Sequence, residues 1–121
     1  MRLTLLPPRM AVCRLPPAAA IPPWPAGPFV SITRTAEELS IVCSEASVPG
    51  DVQSERGWRC LKLEGPIPFE TIGIAAAITK TLADAGISVF FVSTYDTDYV
   101  LVRAESIDSS VVALRAAGFD L

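Results

Sequence analysis

The sequence predicts an α+β fold, an antiparallel sheet with helices packed on one face. Three observations carry this. Residues 71–85 place Ile74, Ile78 and Leu82 four residues apart, a single apolar stripe that seats a helix on a sheet. Runs rich in Val, Ile and aromatic residues at 58–63, 87–92 and 99–102 are separated by turn chemistry, as strands are. Half of the 121 residues are apolar and 19% are charged, so a core can form and global disorder is excluded.

The elements follow in chain order. Pro7 and Pro8 interrupt the first apolar residues, and no signal-peptide core follows. No run reaches the roughly 18 apolar residues of a membrane span. Residues 10–15 read as a strand. Residues 16–28 carry six of the chain's 11 prolines. Proline lacks the amide proton and clashes with the preceding turn, which rules out a regular helix there. The expectation is an ordered, extended crossover with Ile21 and Trp24 packed down; a flexible linker is the alternative, against which the low Gly and Ser content argues. Residues 29–35 alternate apolar and polar, and 39–44 return as a second strand. Ala36, Glu37 and Glu38 connect them, with Thr35 and Glu38 at capping-box spacing shaping the hairpin. The polar stretch 48–57, with Pro49, Gly50 and Gly57, divides the chain into units 1–55 and 56–121.

The second unit has the clearer periodicity. A strand at 58–63 and a Gly-Pro-Ile-Pro turn lead into the helix at 71–85, whose surrounding alanines suggest a close fit on two sides. Gly86 suits the left-handed cap that ends it. Strand 87–92, the turn Tyr95-Asp-Thr-Asp98 and strand 99–102 follow. Asp108 or Ser109 caps a last short helix, with Val111 and Leu114 facing inward and Gly118 closing it. Only residues 119–121 remain for a final strand. The order β-α-β-β-α is ferredoxin-like. The first unit reads as a degenerate copy, with its Pro-rich segment where the helix would stand.

Composition also limits the chemistry. The net charge of −3 argues against nucleic acid as a partner. The chain has no histidine, which removes Ser-His-Asp and Cys-His catalysis and a His-containing zinc site. Cys13, Cys43 and Cys60 lie in apolar, strand-like runs without a Cys-x-x-Cys pair, so they read as core residues of a reducing compartment. Asp96 and Asp98 flank one turn and lack the further ligands a calcium or magnesium site needs. No phosphate-binding or dinucleotide-binding glycine motif is present. Trp24 and Trp58 read as core or interface fillers, and Arg34 as a solvated or paired surface cation.

Three segments are more specific than the fold pattern: Phe29-Val-Ser-Ile-Thr-Arg-Thr-Ala-Glu-Glu-Leu-Ser-Ile-Val-Cys43, Trp58-Arg-Cys-Leu-Lys-Leu-Glu-Gly65, and the run from Gly86 to Arg103 with its Ser93-Thr94-x-x-x-Asp98 motif. Together they resemble the ACT domain family, in particular short bacterial proteins with paired ACT-like units. These are related to aspartate kinase regulatory domains and to the ACT repeats of cytosolic arginine sensors. The resemblance spans residues 9–118. It implies a non-catalytic regulatory module that binds an amino acid at an interface between two units. By position, the ligand would meet Pro68, Phe69 and Thr71 in the turn and helix start, and Thr94, Tyr95, Thr97 and Asp98 in the hairpin. Ser88 and Val89 of a neighbouring unit would close the site. A helix start favours a carboxylate, Asp98 an ammonium, and Phe69 and Tyr95 an apolar stem. Thr71 and Pro68 depart from the arginine-sensing pattern, which can place glutamate and glycine there. The sequence supports a ligand of zwitterionic type far better than any named amino acid. The small units with uncovered edges, and the pairing of ACT relatives, imply a homodimer; composition, charge and cysteine usage imply a cytoplasmic location with no cofactor, no metal, no nucleic acid and no membrane. The alternative is a protein–protein interaction module without a small ligand.

Overall fold

The structure, a computed structural model, describes residues 1–121. Two units are distinguished: Pro7–Trp58 is continuous, whereas the other joins Met1–Leu6 to Arg59–Leu121. The strand β5 (Ser54–Leu63) runs out of the first and into the second.

In the discontinuous unit, β1 (Leu3–Leu5), the C-terminal half of β5, β7 (Asp98–Arg103) and β6 (Val89–Ser93) lie in that order. β1 runs antiparallel to β5 with Leu3 opposite Leu63 and Leu5 opposite Leu61. β6 and β7 form a hairpin from Val89–Val102 to the last pair, Ser93–Asp98. Successive strand residues face opposite sides, so Leu61, Leu63, Val100 and Val102 share one face. Ile78 and Leu82 of α1 (Ile74–Asp84) and Leu114 of α2 (Ile107–Ala116) bury against that face, all fully inaccessible. Each such leucine contributes about 1.5–3 kcal/mol on burial. The α+β architecture with both helices on one face is the one the apolar stripe predicts.

The helix ends are explained by their glycines. After α1, Gly86 takes φ +74°, its amide donates to Ala83 O (2.9 Å) and the Ile87 amide to Leu82 O (2.9 Å). After α2, Gly118 takes φ +100°, and the Gly118 and Phe119 amides repeat the pattern on Arg115 and Leu114. Both are Schellman closures, and in each the residue beyond the glycine joins the core it caps.

Three expectations need correction here. The first helix begins at Ile74 rather than Thr71, because Gly73 at φ +86° holds the preceding residue positions out of the helix. Ala75, Ala76 and Ala77 are exposed, so the helix is packed on one side only. The fourth strand of the sheet is not C-terminal: Leu3–Leu5 fills that place beside β5. Residue 120 adds only a parallel bridge to Arg2, with Leu3 N donating to Asp120 O at 2.7 Å.

In the continuous unit, β3 (Ser31–Arg34), β4 (Leu39–Ser44), β2 (Met10–Leu15) and the start of β5 are neighbours. Strand β5 begins at Ser54, inside the stretch the sequence assigns to a polar boundary, and a register shift between Met10 and Val12 accommodates it. Ala11, Cys13, Leu39, Ile41, Cys43 and Val48 form the core, with Trp24 packed against it. The Pro-rich segment is an ordered crossover. The Arg34 guanidinium donates to the carbonyls of Pro17 and Ala19, and the Ser44 amide donates to Ala26 O at 2.9 Å. Ile21, expected to pack, is 58% exposed.

Candidate functional site

The site is built where a turn meets a hairpin. Between β6 and β7, Thr94 N donates to Thr97 O at 2.8 Å, and the Thr94 hydroxyl bonds the same residue. This pins the turn that displays Tyr95 and Asp96. Residues 64–73, between β5 and α1, form the facing segment. Two hydrogen bonds fasten the walls together: Ile67 N donates to Asp96 O at 2.8 Å, and the buried Thr97 hydroxyl donates to Leu63 O. Gly65 permits the approach, since a Cβ there would lie 2.9 Å from Asp96 O and 3.1 Å from Thr97 Cβ. Thr71 N donates to Pro68 O at 3.0 Å and closes the loop.

Between these walls is a cleft of about 240 Å³ lined by Ile67, Pro68, Phe69, Thr71 and residues 93–98. Of the sequence-predicted site residues, Pro68, Phe69, Thr71, Thr94, Tyr95, Thr97 and Asp98 all border it. Thr97 is buried, and its hydroxyl is committed to Leu63, which makes it a wall rather than a free donor. Phe69 and Tyr95 are 70% and 80% exposed and meet edge to face, with centroids 4.9 Å apart, across the mouth. Ser88 and Val89 lie at the other end of β6, where Val89 faces Val102, and do not border the cleft. Gly73 and Ile74, the start of the helix, are also outside its lining.

Ser93, Asp96 and Ile67 line the cleft in addition. The period of two gives Ser93: it is paired with Asp98, so both side chains share a face. That face is the helix-bearing one, because Asp98 alternates in phase with Val100 and Val102. Nothing in the sequence marks Ile67, whose placement depends on the amide bond to Asp96. The only formal charges lining the cleft are the carboxylates of Asp96 and Asp98, and neither is paired with a cation of this chain. An acidic floor, hydroxyls at Thr71 and Ser93 and an aromatic rim suit a ligand carrying an ammonium group on a partly apolar body.

The cysteines lie away from this cleft. All three are buried and free. Burial pushes the Cys13 thiol up to about 11 and the Cys60 thiol up to about 12, which keeps both protonated and unreactive at neutral pH.

The family model of the ACT domain matches residues 53–116, and a second model, described as an N-terminal domain, matches residues 9–51. The human cytosolic arginine sensor for mTORC1 subunit 1 is 32% identical over 92 residues, covering 72% of this chain and 26% of the sensor. The chain thus spans about a quarter of the length of the curated relatives it matches. A crystal structure of a protein from Agobacterium tumefaciens superposes with a TM-score of 0.93 at 41% identity, covering 99% of this chain and 90% of that one. The ligand-free regulatory subunit of aspartate kinase from Thermus thermophilus shares the fold at 10% identity, with a TM-score of 0.65 and 98% of each chain covered.

Proposed function

The chain belongs to the ACT domain family, and from that membership we propose that it is a non-catalytic regulatory module that binds an amino acid in the cleft between residues 65–71 and 94–98. The observation that carries this is Asp98, a half-buried carboxylate on the helix-bearing face with no partner in the chain, set in a cleft whose walls are already hydrogen-bonded together. It receives the ligand's ammonium. Thr71 and Ser93 bond the zwitterion, Thr94 holds the turn beside it, and Phe69 and Tyr95 cover its stem. Two family resemblances support the reading: the arginine sensors, named for the amino acid they sense, and the aspartate kinase regulatory subunit.

The first unit is a degenerate ACT-like copy in this proposal. Its hairpin uses the same device as the site: Thr35 N donates to Glu38 O at 2.9 Å, and the Thr35 hydroxyl accepts from Glu38 N, matching Thr94 and Thr97. At the position of Asp98, however, it carries the buried Leu39. It therefore retains the hairpin and lacks the charged group.

The site is completed in a homodimer, where Ser88 and Val89 of a second copy cover the open mouth. Sedimentation at high micromolar concentration should give twice the chain mass of 12.9 kDa; a monomer overturns the dimer. For the ligand, calorimetric titration follows a thermal-shift screen of the amino acids. Asp98→Ala should lose about 2–5 kcal/mol of binding, roughly 30-fold or more in Kd, while Asp96→Ala changes binding in this cleft much less. Equal affinity of wild type and Asp98→Ala removes Asp98 from the site.

A second reading is favoured by one observation: Phe69, Ile72 and Tyr95 are 70%, 90% and 80% exposed around the same mouth. If no amino acid at millimolar concentration raises the melting temperature, this apolar rim is the contact of a protein–protein interaction module.

A further inference from the structure

The turn between β6 and β7 has two sides. Asp98 faces the helices, but Lys62 and Tyr99 do not. Lys62 stands between Leu61 and Leu63, and Tyr99 precedes Val100; those three neighbours lie in the core under the helices. Alternation therefore puts Lys62 and Tyr99 on the helix-free side of the sheet. There a second cleft, about 200 Å³, is lined by Lys62, Gly65, Pro66, Thr94, Asp96, Thr97 and Tyr99.

Two charges of opposite sign line this cleft without meeting. Lys62 is half-buried and makes no ion pair or side-chain hydrogen bond, and the Asp96 carboxylate likewise has no partner. An ion pair lies elsewhere, between Lys80 and Asp84 on the surface of α1. An ammonium partly withdrawn from water gains when a carboxylate reaches it. The Asp96 backbone is held in place by Ile67 N on its carbonyl and by the turn closed between Thr94 and Thr97. A cleft that carries an unpaired ammonium and an unpaired carboxylate suits a small molecule with one pole of each sign.

We propose that this helix-free cleft is a second site, for a small zwitterion, with the ligand carboxylate on the Lys62 ammonium and the ligand ammonium on the Asp96 carboxylate. It is distinguished from the Asp98 site by Lys62 and Tyr99, while Thr94, Asp96 and Thr97 line both clefts. One turn would then read two ligands.

The test uses the full chain carrying Asp98→Ala, which weakens the first site, and turns on Lys62, which lines the second cleft and not the first. The probe is alanine, titrated to tens of millimolar and followed by the amide resonances of Lys62, Gly65 and Tyr99. These should move together and saturate. Adding Lys62→Ala should weaken the titration about tenfold or more, Lys62→Arg should restore part of it, and Asp96→Asn should weaken it comparably. Propionate and ethylamine, each with one pole, should bind at least tenfold more weakly than alanine. Unmoved resonances overturn the site. So does an unchanged titration in Lys62→Ala. Propionate binding as tightly as alanine overturns the two-pole assignment in favour of simple anion capture.

Discussion

Residue chemistry decides what the turn between β6 and β7 can do. Three successive polar residues there take three fates. Asp96 is exposed, Thr97 is buried under a hydrogen bond to Leu63, and Asp98 is half-buried with a free carboxylate. The sequence identifies Asp98 through its motif and treats Thr97 as a ligand contact. It cannot show that the Thr97 hydroxyl is already spent, because that depends on a partner 34 residues away. Thr97→Val keeps the shape and strands the Leu63 carbonyl, so unfolding in urea should report a loss of about 1–3 kcal/mol. A Val variant as stable as wild type would show that the hydroxyl is dispensable. The thiols give a second expectation. Burial raises Cys13 and Cys60 from the ordinary value of 9.0 to about 11 and about 12. A folded-state value above the unfolded one contributes stability that is complete below pH 9.0 and lost as pH rises towards those folded values. Denaturation midpoints should therefore fall across that alkaline window, and Cys60→Ala should flatten the fall.

At the scale of elements, strands were more legible than boundaries. Residues 10–15 and 39–44 are strands to the residue, because alternation and flanking prolines or turns agree there. The stripe Ile74, Ile78, Leu82 identifies α1 and its buried face, and Gly86 and Gly118 identify both helix ends. The helix starts later than the sequence suggests because Thr71 and Ile72 have acceptable helix chemistry, while Gly73 turns the backbone to positive φ just ahead of Ile74. β1 was missed altogether: three residues before a Pro-Pro pair carry too short a pattern to register. The Pro-rich crossover was predicted as ordered, but what orders it is Arg34, not Ile21. Arg34→Ala removes the bonds to Pro17 and Ala19, so limited proteolysis should cut residues 16–28 faster while the melting temperature changes by only a few degrees. Unchanged cleavage would place the ordering in the Trp24 contact alone.

On the scale of the whole molecule, the Asp98 cleft draws all its walls from the discontinuous unit, and that unit is assembled from segments on either side of the continuous one. Its strand β1 precedes the Pro7–Trp58 unit and its remaining elements follow it. This has a kinetic consequence. On the ribosome, the continuous unit has all its strands available once residue 58 has emerged, whereas Leu3–Leu5 must wait for Leu61 and Leu63. Closing that span costs conformational entropy that grows only slowly with its length, and folding of the intervening residues shortens the span in effect. Folding of Pro7–Trp58 therefore draws together the two flanking segments, Leu3–Leu5 and residues 61–63, that must pair.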